Sequence, residues 1–118
     1  MNERLTLSQI VLLVVYSLGM AGGQLLFKSA AVQHGEGARL TALVQSPYFI
    51  AAIALYAALA VFWVWLLTFT PLSRAYPFVG LAFALTPVFA GLLFGEVISV
   101  RLWFGLLLIL AGLFFVFD

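Results

Sequence analysis

The stretch Leu5-Thr6-Leu7-Ser8-Gln9-Ile10-Val11-Leu12-Leu13-Val14-Val15-Tyr16-Ser17-Leu18-Gly19-Met20-Ala21-Gly22-Gly23-Gln24-Leu25-Leu26-Phe27 decides the fold. It holds no charged residue and is broken only by hydroxyl, amide and glycine side chains. An α-helix rises about 1.5 Å per residue, so roughly 20 residues cross a hydrocarbon core. This run is long enough. Met1-Asn2-Glu3-Arg4 ahead of it is like the n-region of a signal peptide, with Ser29-Ala30-Ala31 as a cleavage site. The apolar stretch, however, exceeds the ~7–15 residues of an h-region, and further spans follow, so it is expected to remain as a first membrane helix.

Outward from that run the pattern repeats. Of 118 residues, 66% are hydrophobic and 8% charged. A water-soluble domain of this size has no interior large enough to hide that surface. The reading is an all-α integral membrane protein, a single membrane domain 1–118 with spans at about 6–28, 47–68, 75–95 and 102–117. Residues 29–46 form the longest loop, centred on Gly35-Glu36-Gly37, with Leu40, Leu43 and Val44 at the spacing of a short interfacial helix. Pro47 opens the second span, where a missing N–H costs nothing. Pro87 falls in the middle of the third, where it removes a backbone hydrogen bond and bends the helix. The runs lack the alternation of barrel strands.

An even number of spans puts both termini and the second connection on one side of the membrane. That side carries Arg4 and Arg74, and the other carries Lys28, Arg39 and Arg101. Two against three does not set an orientation by the positive-inside rule. Five basic and four acidic residues leave no excess of charge for nucleic acid. Without cysteine there is no disulfide or thiolate site, and His34 is the lone histidine, in a polar loop. Neither a metal nor another cofactor is expected, and no nucleophile–base pair suggests an enzyme.

Close packing of small residues holds membrane helices together. Gly19 and Gly23 form one G-x-x-x-G, and Gly91 and Gly95 another. Gly105, Leu108 and Gly112 share a face of the last span. These are packing positions within the four-helix unit, or, for the last stripe, a seam between subunits. Intramembrane polar residues are candidate site residues because they are costly to bury. Gln24 and Lys28 share a face, read either as a snorkelling lysine above an amide or as a phosphate site. Arg74 and Tyr76 flank the entry to the third span, as lipid anchors or site residues. Glu96 and Arg101 bracket the third connection and are expected to pair with each other. Of Trp63 and Trp65, two apart, at most one can line a shared cavity; Trp103 reads as an interfacial anchor. No Asp or Glu lies within a span.

The chain resembles the small four-helix members of the drug/metabolite transporter superfamily, the EamA-like branch, and within it the aminoarabinose–phosphoundecaprenol flippase subunits. The resemblance is carried by Gly23-Gln24-Leu25-Leu26-Phe27-Lys28, by Pro71-Leu72-Ser73-Arg74-Ala75-Tyr76-Pro77, and by Glu96, Ser99, Arg101, Trp103 and Gly105 with Gly112 beyond. It implies a four-transmembrane-helix bundle in the bacterial inner membrane. It also implies a homodimer or a heterodimer with a similar subunit, and movement of a polyprenyl-phosphate-linked sugar or similar lipid headgroup between leaflets. Lys28 or Arg74 would then attract the phosphate, with Gln24, Tyr76 and Trp63 around the sugar and with Glu96, Arg101 and Pro87 structural or gating. The small multidrug resistance family shares the architecture, but its first-span glutamate falls here on Met20. Export of hydrophobic cations or metabolites is the alternative, and a non-transporting partner subunit a second.

Overall fold

The computed structural model describes residues 5–116; residues 1–4, with Arg4 of the orientation count, and 117–118, with the end of the last expected span, lie outside them. Helix α1, Leu7–His34, begins at a reciprocal cap in which Thr6 Oγ1 accepts the Gln9 N–H at 3.3 Å and Gln9 Oε1 accepts the Thr6 N–H at 2.8 Å. Nothing in Ser29–His34 breaks a helix. Residues read as the start of a loop therefore continue α1, and His34 closes its last turn with Nδ1 3.1 Å from the Ala30 carbonyl. Gly35 ends it at φ 71°, a backbone that favours glycine. A short α2, Leu40–Val44, leads to α3, Pro47–Leu67. Then come α4, Leu72–Ala75, a 3₁₀ turn at Tyr76–Phe78, α5, Val79–Phe94, and α6, Val100–Val116. The described residues contain no strand.

Among the described residues three helices are long and apolar enough to cross a membrane: α1 with 28 residues, α3 with 21, and the run Leu72–Phe94 with 23. Helix α6 is apolar but shorter, at 17 residues. Only 17–22% of the most apolar 18 residues of each long span is buried within the chain. So large an apolar surface is stable only against lipid or other helices. The chain is a multi-pass membrane protein.

Helix α1 packs against α3 and α5, and α5 in turn packs against α6. The order α3–α1–α5–α6 is an open series rather than a closed bundle, and the molecule is a slab of 53 × 36 × 17 Å. Its core lies at one end, where α1, α3 and α4 converge on Leu13, Leu66, Ala75 and Phe78, each at most 1% exposed. Polar clamps reinforce that end. Gln9 Nε2 donates to the Phe69 carbonyl at 2.7 Å and reaches Thr70 Oγ1 at 3.2 Å, tying α1 to the α3–α4 link. The buried Ser17 hydroxyl lies 2.7 Å from the Phe78 carbonyl and 2.9 Å from that of Leu13. It holds α1 against the turn where Pro77 interrupts the third span.

The glycines divide by function. A Cβ on Gly19 would meet Leu59 Cδ2 at 2.9 Å, and one on Gly23 would meet the Tyr56 ring at 2.6 Å. This pair lets α1 and α3 touch. Gly91 and Gly95 do not form a second helix–helix motif. Gly95 is the left-handed cap of α5 at φ 68°, and Gly91 lies under the turn that follows, with Ile98 Cδ1 at 3.0 Å and the Glu96 carbonyl at 3.2 Å from its virtual Cβ. A Cβ at Gly105 or Gly112 would meet nothing within 4 Å. Leu108 between them is exposed, so their shared face of α6 is unused within the chain.

Candidate functional site

Between α1 and α5 lies a cleft of about 410 Å³ lined by Met20, Gln24, Ala82, Phe83, Thr86 and Pro87. Thr86 and Pro87 are central in α5. Across α1, the Tyr56 ring lies over Gly23 close to the midpoint of α3. The cleft is therefore at mid-depth in the helices.

Its polar groups follow from local chemistry. The Tyr56 hydroxyl donates to the Met20 carbonyl at 3.1 Å and accepts from Gln24 Nε2 at 2.8 Å. A phenol has one proton. With that proton on Met20, the amide must present its NH₂ to Tyr56, which leaves Gln24 Oε1 for the cleft. Stacking of Tyr56 on Phe27, centroids 5.5 Å apart at 13°, fixes the ring. Pro87 has no N–H to give the carbonyl of Phe83 four residues earlier, so one acceptor of α5 lacks its helical donor. Thr86 makes no hydrogen bond among the described residues, not even the usual one back to its own helix. The lining residues include no carboxylate and no cation.

Lys28 is one turn beyond Gln24 on α1, about 6 Å along the axis. Its Nζ lies 3.5 Å from Glu96 Oε2, with both side chains about half exposed. The expected Glu96–Arg101 pair is not made. Glu96 follows the cap of α5 and turns toward α1, whereas Arg101 sits exposed in the first turn of α6 with no ion pair among the described residues. Trp103, also in that turn, is 45% exposed.

Arg74, Tyr76 and Trp63 belong to the opposite end. Arg74 Nη1 donates to the Val116 carbonyl at 3.0 Å, tying α4 to the end of α6. Trp63 packs on Tyr16 with centroids 4.8 Å apart and meets Tyr76 edge-on at 6.3 Å. Gln9, bonded to the α3–α4 link, and Lys28 are nineteen residues apart on α1, so about 28 Å separates the two ends. Lys28 and Arg74 thus cannot grip one phosphate, and only Gln24 of the expected site residues lines the cleft together with Pro87. Trp65, 52% exposed, faces away toward Phe69.

Tyr56 and Thr86 were not singled out from the sequence. A tyrosine in the middle of an apolar run needs a partner for its hydroxyl, which is a usable signal. Thr86 stands beside the mid-span proline, the one place in α5 where backbone polarity is released.

The chain is similar along most of its length to curated proteins. It is 35% identical over 104 residues, 87% of this chain and 91% of the relative, to the probable 4-amino-4-deoxy-L-arabinose-phosphoundecaprenol flippase subunit ArnE of Aeromonas hydrophila subsp. hydrophila. It is 33% identical over 87% of the chain and 90% of the relative to the protein of the same description from Serratia proteamaculans. The corresponding figures for Proteus mirabilis are 30%, 86% and 90%. No protein-family model matches the chain, and no solved structure does.

Proposed function

The chain belongs to the ArnE family of 4-amino-4-deoxy-L-arabinose-phosphoundecaprenol flippase subunits, and we propose that it is itself one subunit of a carrier that moves a polyprenyl-phosphate-linked sugar between leaflets of the bacterial inner membrane. In this reading α6 also crosses the membrane, giving four spans, and the chain is a transporter subunit rather than an enzyme. Its partner is a second four-helix subunit, a copy or a homologue. The open order of the helices supports this, because a second subunit supplies walls that an open series of four helices does not have.

One observation carries the reading: a polar cleft at mid-depth, one helical turn from a lysine whose only partner among the described residues is an exposed carboxylate. A headgroup carrier must solvate a sugar and a phosphodiester inside the bilayer while the prenyl chain stays in lipid. Lys28 offers a compact ammonium for the phosphate, and Glu96 is a counter-ion that phosphate can displace, since a half-exposed pair is held weakly. Gln24 meets the sugar. Arg74 with Tyr76 serves the same chemistry at the other face, as a second station. Proton-for-cation exchange in the manner of small multidrug transporters asks for a carboxylate in the cleft; Met20 occupies that part of the lining.

The test is headgroup exposure on the outer leaflet of proteoliposomes or cells carrying Lys28→Gln or Arg74→Gln. Each is expected to slow appearance of the headgroup, and unchanged transport in both would remove these residues from the site.

A further inference from the structure

The cleft offers acceptors from Gln24, Phe83 and Thr86 and no charged side chain, and that chemistry points to what it takes. Gln24 gives one N–H of its amide to Tyr56, which leaves Oε1 without a partner at a residue that lines the cleft. Phe83 contributes a carbonyl that Pro87 cannot serve, and Thr86 contributes a hydroxyl with no partner among the described residues. No lysine, arginine, aspartate or glutamate lines the space. Such a site solvates a group that brings several N–H or O–H donors and repels a bare anion. Carbonyl and hydroxyl oxygens do the same for cations in membrane pores, without a fixed negative charge.

We propose that this cleft is the binding site for the primary ammonium group of an amino-sugar headgroup, gripped by Gln24 Oε1, Thr86 Oγ1 and the Phe83 carbonyl while the phosphate of the same molecule faces Lys28. The inference rests on the flippase reading and adds to it the part of the substrate that the mid-depth site selects. The geometry fits one sugar ring. Gln24 and Lys28 are separated by one helical turn, about 6 Å along α1, and an amine and a glycosyl phosphate stand at opposite ends of a pentose. The relatives' described substrate carries both groups. An ammonium and a phosphodiester in one headgroup sum to zero charge. The substrate thus supplies its own counter-ion, and the spans need no buried carboxylate to accompany it. Met20 in the lining is consistent with that economy of charge.

Pro87 gives the test its specificity. Pro87→Ala restores an N–H to the Phe83 carbonyl and so withdraws an acceptor from the cleft without adding bulk, while making the helix more regular. Thr86→Val replaces the hydroxyl by a methyl of the same shape. The full-length protein in nanodiscs would be titrated with two short-chain prenyl phosphosugars, one bearing a 4-amino-4-deoxypentose and the other the corresponding 4-hydroxy sugar, with tryptophan fluorescence or calorimetry as readout. The unaltered protein is expected to prefer the amino compound by about tenfold, the scale of one hydrogen bond to a charged group. Thr86→Val and Pro87→Ala are each expected to erase most of that preference, by weakening the amino compound more than the hydroxy compound. Equal affinity for both compounds, or a preference untouched by both substitutions, would overturn the ammonium assignment and leave the flippase reading standing. Binding of neither compound would overturn both together.

Discussion

Gly23→Ala isolates the contact on which the α1–α3 pairing depends. The added Cβ would lie 2.6 Å from Tyr56 Cε2, 2.9 Å from Cζ and 3.2 Å from Cδ2. Real Cβ contacts do not come so close, so α1, α3 or the ring must move by about an ångström. The ring is not free to do so. It is stacked on Phe27 at 5.5 Å and bonded through its hydroxyl to the Met20 carbonyl and to Gln24. Overpacking of this kind costs about 1–3 kcal/mol, and each hydrogen bond broken by a displaced ring adds about 1 kcal/mol. Against this stands the better helix propensity of alanine, about 1 kcal/mol. The net expectation is a loss of about 1–3 kcal/mol. The adjacent glycine is the control: a Cβ at Gly22 would meet nothing within 4 Å, so Gly22→Ala keeps the propensity gain and suffers no clash. Unfolding of both variants in mixed micelles, followed by helicity and tryptophan fluorescence, should place Gly23→Ala below the parent protein and Gly22→Ala at or above it. Equal stabilities for the two variants would refute the packing argument, because they differ only in what the new methyl meets.

Ser17→Ala should cost about 1 kcal/mol in the same assay, since it removes the donor 2.7 Å from the Phe78 carbonyl at a fully buried position; a neutral result would mean that the clamp at the 3₁₀ turn is redundant. Gly95→Ala should cost about 1–2 kcal/mol although its Cβ would meet no atom within 4 Å, because φ 68° is left-handed backbone, and an unchanged midpoint would show that the turn relaxes. A Cβ at Gly105 or Gly112 has open space around it, so Gly105→Leu and Gly112→Leu should leave the fold of the single chain intact, as helicity would report. If the stripe with Leu108 is the seam between subunits, the same variants should lower the dimer fraction in cross-linking, and an unaltered fraction would move the seam elsewhere.

What could be read from the sequence depended on the range of the interaction. The three long spans were visible because length and hydropathy are local sums, and the mid-span proline announced its own consequence for α5. Gly19 and Gly23 were recognisable as a contact surface, but Leu59 and Tyr56, their partners on α3, were not, since an apolar run gives no register between helices. Glu96 was assigned to Arg101, five residues on, when its partner is Lys28 on another helix. Proximity in sequence was the only measure available there, and the left-handed cap at Gly95 turns the chain away from it.

The separation of Lys28 from Arg74 is a different case, because it was implicit in the span count. Four antiparallel crossings put the first and second connections on opposite faces, so residues at their two ends cannot share a groove. The sequence names Lys28 or Arg74 for the phosphate, and at opposite ends the two are alternatives and not a shared site. The structure links those ends through α1. Its start is bonded to the α3–α4 link beside Arg74, its middle carries Gln24 into the cleft, and its far turn carries Lys28 toward Glu96. A headgroup passing from one face to the other would therefore track a single helix. It would meet a cation at each end and, between them, oxygens that hold an amine without holding a phosphate. In such an arrangement the phosphate is bound at the faces and not at the centre, and it is the amine for which the middle of the membrane offers a partner.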